Sequence, residues 1–440
     1  MTSAAERIEA LMQIHPKGFD LSLDRMMGLL EKLGNPQNTM PPVIHFAGTN
    51  GKGSTIAFTR AILEAVGLSV HVHTSPHLVN WHERYRMGRT GASGALVDDA
   101  VFADAIRRVA EANGGKPITV FEVLSAVMFV LFSEHEADVA LVEVGLGGRF
   151  DATNVMERTD LSVITPISLD HEAYLGDTIA KIAFEKAGII KPGVPVVVSV
   201  QEDDALDVIE RQAARQKADV IAAGQHFSAQ AEDGRLVYQG EDVLLDLPLP
   251  KMQGRHQIEN AATAITACRR FAADRGFSLT DKAIERGIET AFWHGRMQSL
   301  DHGKLVQAAP DGAEIWLDGG HNPGAAVAIA DWLDARNRIS PKPLTLICGM
   351  LTTKGPKGYF DNLVRYQPDV VCVPIVSSDA GVEPKALADV ARSCGLSVTT
   401  APDLATALAS IEPAGERRIL IAGSLYLVGD ALEQNETPPS

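Results

Sequence analysis

Cysteine is scarce in this chain of 440 residues, and the four present, Cys268, Cys348, Cys372 and Cys394, lie far apart with no CxxC pair. That distribution excludes the paired spacing of a disulfide framework and predicts reduced, mostly buried thiols in a cytosolic protein. Positive charge is also in deficit, with 40 Lys and Arg against 56 Asp and Glu, a net charge of -16. Nucleic acid and anionic lipid attract clustered Lys and Arg, so neither is an expected partner, and any anionic ligand must be met by local positive charge. Long apolar runs are missing too. The longest, 123–132, is broken by Ser125 and falls short of the roughly 20 residues that cross a bilayer. Glu6 and Glu9 interrupt the first apolar residues, so no signal-peptide core is expected. No fixed-period repeat is visible. A hydrophobic content of 45% with 22% charged residues is that of a soluble globular protein, expected in the cytoplasm, and the length predicts two domains rather than one.

The most informative stretch present is Gly48-Thr49-Asn50-Gly51-Lys52-Gly53-Ser54-Thr55, which follows an apolar segment and leads into a helix-period pattern. It reads as a nucleotide phosphate loop. Glycines let the backbone turn tightly and aim N–H groups at phosphate oxygens, and the following helix presents the positive end of its dipole to the same anion. Lys52 supplies a point charge for the outer phosphates, and Ser54 or Thr55 a hydroxyl for Mg²⁺. An ordinary Gly-rich turn would account for the glycines but not for a lysine and two hydroxyls behind them. The spacing departs from G-x-x-x-x-G-K-[ST]: two residues separate Gly48 from Gly51, and Gly53 intervenes before the hydroxyl. An ordinary kinase or GTPase loop is therefore not expected.

From residue 43 onward strand-length apolar runs alternate with helix-period segments, the pattern of a parallel sheet with helices on both faces. Strands are predicted at 43–47, 69–73, 139–144, 161–165 and 194–199, and helices after the phosphate loop and at 97–112, 121–135 and 178–187. Segment 225–247, broken by Gly234 and Gly240, reads as an antiparallel hairpin or meander. A helical pattern from Asp281 ends near Arg296, and a second set of units follows, with strands near 314–317, 344–348, 370–374 and 418–422. These place a boundary near Gly295, giving domains 1–295 and 296–440. The polar, Pro-rich residues 435–440 predict a disordered end.

Several strand ends carry chemistry-bearing residues. Glu143 ends an apolar strand, where an ionised carboxylate needs a cation or hydrogen-bond donors, so it reads either as a Mg²⁺ ligand or as a cap on the Gly145-Leu146-Gly147-Gly148 turn. Asp170 and His171 follow another strand, and His171 by itself reads as a hydrogen-bonding loop residue. Lys186 ends a helix before Gly188, where a cation favours the dipole. Ser75 either adds a Mg²⁺ ligand or belongs to a turn around Pro76. Asp318 and His321 could contact a ribose or phosphate across an interdomain cleft.

Taken in order, these pieces resemble one family, the folylpolyglutamate synthase and dihydrofolate synthase enzymes, a branch of the Mur-ligase-like ATP-dependent amide ligases. The resembling residues are the Gly48–Thr55 loop, Ser75-Pro76-His77-Leu78, Glu83-Arg84, Gly145-Leu146-Gly147-Gly148-Arg149, Asp151-Ala152-Thr153-Asn154, Leu169-Asp170-His171, Glu185 to Lys191, His256-Gln257, Asn260-Ala261, Gly295-Arg296, and Asp318 with His321-Asn322-Pro323. Small departures stand at Ser168, where the family commonly has Gly, and at Gly320, where it has Ala, and the stretch 302–312 is an extra length expected in a hairpin. Muramyl-peptide ligases share the loop but usually carry Lys-Thr-Thr or Lys-Ser-Thr in it. They also have an N-terminal nucleotide-sugar domain that some forty residues before the loop cannot form.

The resemblance implies a P-loop Mur-ligase-like α/β domain followed by a smaller Rossmann-like α/β domain. It implies an ATP-dependent ligase that adds L-glutamate to dihydropteroate, to folyl-glutamates, or to both, through an acyl phosphate. Both acceptors are the preferred reading, ahead of folylpolyglutamate synthesis alone or a muramyl-type ligation. A nucleotide-binding switch without ligation chemistry is the rival from a different class. By similarity Ser54, Ser75 and Glu143 are expected first-Mg²⁺ ligands, and His171 belongs to a second Mg²⁺ site. Lys186 matches the family's carbamylated lysine. Asn260, Arg296, Asp318 and His321 match nucleotide-contacting positions, and Thr119, Phe121 and Asp151 match pterin-binding ones. Lys52, Lys186 and His171 are thus the expected catalytic side chains, in a monomer.

Overall fold

The structure, a computed structural model, describes residues 4–12, 22–412 and 416–439. The first sheet holds β1 (Val43–Ala47), β2 (Val70–His73), β3 (Tyr85–Arg89), β4 (Ala92–Leu96), β5 (Val139–Glu143), β6 (Leu161–Ile164), β7 (Val196–Val198) and β8 (Val220–Ala222). Their order is β4-β3-β2-β5-β1-β6-β7-β8. From β2 to β8 all pairings are parallel. Strands buried on both faces read as continuous apolar runs, which is why β1, β5 and β6, each wholly buried, are visible in sequence. The helix Val120–Glu134 covers one face with Val123, Val127 and Phe129. The helices Lys52–Ala65 and Arg255–Arg275 cover the other with Ile56, Ile62 and Ile265.

The hairpin β3–β4 at the sheet edge has no counterpart among the predicted strands. Its sequence, with Arg86, Gly88, Arg89, Ser93 and Gly94, lacks an apolar alternation. A remote partner holds it: Glu64 accepts hydrogen bonds from Ser93 Oγ (3.0 Å) and Gly94 N (2.9 Å). The predicted meander is present as β9 (Phe227–Glu232), β10 (Arg235–Gly240) and β11 (Leu244–Pro248), a separate antiparallel sheet. It packs Leu236, Tyr238, Leu245 and Leu247 into the core shared with the helix Arg255–Arg275.

The second sheet holds β12 (Gln298–Leu300), β13 (Glu314–Asp318), β14 (Leu344–Cys348), β15 (Asp369–Cys372), β16 (Ser397–Thr400) and β17 (Arg418–Ala422), in the order β12-β13-β17-β14-β15-β16. Only β12 is antiparallel to its neighbour. The extra stretch 302–312 joins β12 to β13, and the added length is a short helix, Lys304–Ala308, rather than longer strands.

The expectation of a disordered end is corrected at Asn435, which is fully buried. Its side-chain oxygen accepts from Leu305 N (3.0 Å) and its amide donates to His302 O (2.9 Å), so it ties the last helix to the 302–312 stretch. Ser440 lies outside the described residues. No helix among them is long and apolar enough to cross a membrane.

Candidate active site

Parallel register brings the strand ends of the first sheet together. Phe46 pairs with Glu143, Ala47 with Ile164 and His73 with Val142. The phosphate loop and the loops after β2, β5 and β6 therefore leave the sheet side by side, at the edge where open α/β sheets bind ligands. In the second sheet Asp318 ends level with Ala422, and Ala422 with Cys348. The two edges face one cavity of about 670 Å³, lined by Lys52, Glu143, Lys186 and His171 from the first half and by Arg296, Asp318 and His321 from the second.

Gly48 adopts φ 149°, and a Cβ there would collide with Thr165, so the loop can take its path only with glycine. Lys52 opens the helix Lys52–Ala65 and folds its ammonium back onto Gly48 O (3.1 Å) and Thr49 O (3.4 Å), 3.8 Å from Glu143 Oε1. Of the two hydroxyls, Ser54 lines the cavity, while Thr55 is fully buried and turns its Oγ1 to Asn260 Oδ1 at 3.5 Å. Gly53 has a tertiary cause: a Cβ there would stand 2.7 Å from Trp293 Nε1, in the connector between the two sheets.

Glu143 is buried, which pushes its pKa up against the pull of Lys52 and of the hydrogen bond from Ser75 N (3.1 Å). Beside it the Ser75 hydroxyl is buried with no hydrogen-bond partner among the described residues. A buried carboxylate next to an unpartnered hydroxyl and Ser54 is an oxygen donor set suited to Mg²⁺. Among the described residues no three His, Cys, Asp or Glu side chains gather to hold a metal by themselves, so a cation here would need hydroxyls and ligand oxygens to complete its shell.

Lys186, on the helix Ile179–Ala187, is buried and donates to Gly48 O at 2.9 Å. Burial, and then the neighbouring charge of Lys52, lower its pKa to about 7. His171 sits at φ 52°, a left-handed backbone uncommon outside glycine that concentrates at functional sites. Burial lowers its pKa to about 4, so the imidazole is neutral.

Asp170 is the junction of the two halves. It meets Lys354 Nζ at 2.7 Å, His321 Nε2 at 3.4 Å and Asn322 Nδ2 at 3.2 Å. Burial alone would raise its pKa, but the hydrogen bond from His321 and the charge of Lys354 hold it well below the usual carboxylate range. Lys354 also approaches His171 Nε2 at 3.2 Å. The side chains of Asn50 and Asn322 bond across the same junction, with Asn322 Nδ2 3.1 Å from Asn50 Oδ1. Lys354 belongs to no motif visible in the sequence, although its place after the end of β14 matches the strand-end rule that points to Glu143.

Thr119, Phe121 and Asp151 are not among the residues lining the large cavity. Thr119 caps the helix Val120–Glu134 in a reciprocal box with Glu122. Asp151 spends its carboxylate on Gly145 N (3.0 Å), Leu146 N (2.8 Å) and Thr153 Oγ1 (2.6 Å), and the Phe121 ring packs against Gly145. Asp151 and Phe121 thus support the 145–147 turn, and Thr119 caps the helix that carries Phe121. Asp318 has a similar double duty, lining the cavity while accepting from Met297 N (2.9 Å) and Gly320 N (2.7 Å).

Residues 46–268 match the family model described as the Mur ligase middle domain, and residues 303–434 match that of the dihydrofolate synthetase C-terminal domain. The chain is 32% identical to the dihydrofolate synthase/folylpolyglutamate synthase of Bacillus subtilis over 94% of both proteins. Its fold is similar to Escherichia coli FolC in complex with DHPP and ADP, with a TM-score of 0.84, 29% identity, and 98% of this chain and 97% of that one covered. A bifunctional folylpolyglutamate synthase/dihydrofolate synthase with Mn, AMPPNP and L-glutamate bound gives a TM-score of 0.84 at 28% identity, over 98% of each chain.

Proposed function

This chain belongs to the dihydrofolate synthase/folylpolyglutamate synthase family, and on that premise we propose which of its residues perform the family's reaction. It is an ATP-dependent ligase that adds L-glutamate to dihydropteroate and to folyl-glutamates. The observation that carries the assignment of residues is the shared cavity, where phosphate loop, buried carboxylate and lysine face Arg296, Asp318 and His321 of the second half.

In this assignment the loop amides from Gly48 to Gly53 and Lys52 hold the outer phosphates of ATP. Ser54, Ser75 and Glu143 hold a divalent cation, which when bound neutralises charge on the transferring phosphoryl group. Asn260, Arg296, Asp318 and His321 position the nucleotide from both sides of the cleft. With the γ-phosphoryl group and the acceptor carboxylate held in line, transfer gives an acyl phosphate, and positioning with charge neutralisation does most of the work. The neutral amine of L-glutamate then attacks the acyl carbon and expels phosphate, leaving an amide.

Two finer assignments are part of the same proposal. Lys186 is carbamylated: CO₂ adds to a neutral amine, and a lysine with a pKa near 7 presents one at neutral pH. His171 serves a second Mg²⁺, which requires the Lys354 ammonium, 3.2 Å from Nε2, to move aside. Phe121 and Asp151 act on the pterin through the 145–147 turn that they brace, and Thr119 through the helix that it caps and that carries Phe121. The working unit is a single cytoplasmic chain, since one chain supplies both walls of the cavity, and its two domains divide at 295/296, in the connector that carries Trp293.

The test is phosphate release measured against dihydropteroate, tetrahydrofolate and L-glutamate. Release that requires both glutamate and a pteroyl acceptor is expected. ATP hydrolysis indifferent to glutamate would support a nucleotide switch instead, and poor turnover of dihydropteroate beside efficient extension of tetrahydrofolate would remove the synthase half.

A further inference from the structure

A second cavity, of about 330 Å³, adjoins the first and shares Gly53, Ser75, Glu143 and Arg296 with it. It extends away from the phosphate loop between the helix Lys52–Ala65, the hairpin β3–β4 and the connector, so that Ile56, Val72 and Leu96 give it an apolar side and Arg60 and Arg86 a cationic one. Among the described residues the half-buried Arg60 has no hydrogen-bond or ion-pair partner. The carboxylate whose field it feels, Glu64, is already taken up by Ser93 and Gly94. A partly desolvated guanidinium without a partner costs stability, and a fold that keeps one in a cavity wall presents it to an anion.

The chemistry of the two acceptors identifies that anion. In dihydropteroate the only carboxylate is the one that reacts. In a folyl-glutamate the γ-carboxylate reacts, and an α-carboxylate lies a few aliphatic bonds away. With the reacting carboxylate beside the cation that Ser75 and Glu143 would hold, the second cavity begins at that point and offers methylene contacts followed by a guanidinium. We propose that this cavity binds the α-carboxylate end of glutamylated acceptors, with Arg60 as its anchor, and so serves the polyglutamate reaction but not the first addition to dihydropteroate. The proposal rests on the acceptor assignment above.

Steady-state kinetics of Arg60→Gln test it. Loss of one charge-assisted hydrogen bond predicts a KM for tetrahydrofolate raised about tenfold or more, with the KM values for dihydropteroate, ATP and L-glutamate within about twofold of wild type. Arg60→Lys restores part of the loss, and the melting temperature of Arg60→Gln does not fall, because an unpartnered cation has been removed. An equal rise for both acceptors, a rise confined to L-glutamate, or no change overturns the proposal. A wild-type protein that turns over neither acceptor overturns the ligase reading itself. Equilibrium binding of pteroyl-glutamate against pteroate then decides the cavity: an Arg60-dependent preference for the glutamate form supports it, and equal binding overturns it.

Discussion

Lys186 carries a prediction with a definite sign. Its pKa is lowered from 10.5 to about 7 in the fold. Below about pH 7 the amine is protonated and cannot take up CO₂, so activity and bicarbonate dependence are expected to rise as pH increases through that value. Between about 7 and 10.5 the unfolded chain binds the extra proton, so this group's contribution to stability also rises with pH across that window. Intact-protein mass and a ¹³CO₂ carbamate resonance, both absent in Lys186→Ala, would check the assignment; an unmodified, fully active lysine at pH 8 would sink it. Lys52→Ala should lower kcat/KM about 100-fold or more. It should also lower stability, by about 1–3 kcal/mol, since among the described residues the ammonium makes two hydrogen bonds to carbonyls of its own loop and is the cation 3.8 Å from the buried Glu143. Glu143→Ala should shift the Mg²⁺ dependence of phosphate release to much higher concentration, and an unchanged Mg²⁺ titration would remove Glu143 from the ligand set.

At the scale of elements, the phosphate loop shows which features are local and which are imposed. Gly48 is required by its own φ and was legible from the run of residues alone. Gly53 was legible only as a departure from the common motif, because its cause, the indole of Trp293, lies far along the chain. Gly53→Ala is expected to destabilise by about 1–3 kcal/mol through overpacking. Combining it with Trp293→Ala should recover part of that loss, and strictly additive unfolding energies would refute the contact. Thr119 teaches the converse. Its resemblance to a pterin-binding position is accompanied by a plain local duty, the N-cap of Val120–Glu134, so Thr119→Ala should cost about 1 kcal/mol of stability whatever it does to acceptor binding.

On the scale of the whole molecule, Asp170 joins the two halves through Lys354, His321 and Asn322. Removing one partner of a buried pair leaves the other charge uncompensated, a loss of about 3–5 kcal/mol, here set against the contact between the halves. Lys354→Met is therefore expected to lower kcat, increase the radius of gyration in solution scattering and speed proteolysis of the 291–297 connector. A variant as compact as wild type with unchanged kcat would show that the junction is incidental to closure.

The sequence by itself determined what depends on contiguous residues. The buried strands β1, β5 and β6 stand out because both faces exclude water, and the phosphate loop because its turn, amides, lysine and hydroxyls follow one another in the chain. Tertiary structure decided what depends on which loops lie side by side. It chose Ser54 over Thr55 for the cavity, gave Glu143 its unpartnered neighbour Ser75, brought Lys354 to Asp170, and formed the β3–β4 hairpin through Glu64. The physical reason is common to all of them. Desolvation and pairing energies arise only when parallel register and domain contact place distant side chains within hydrogen-bond reach, and a linear pattern holds no record of that distance.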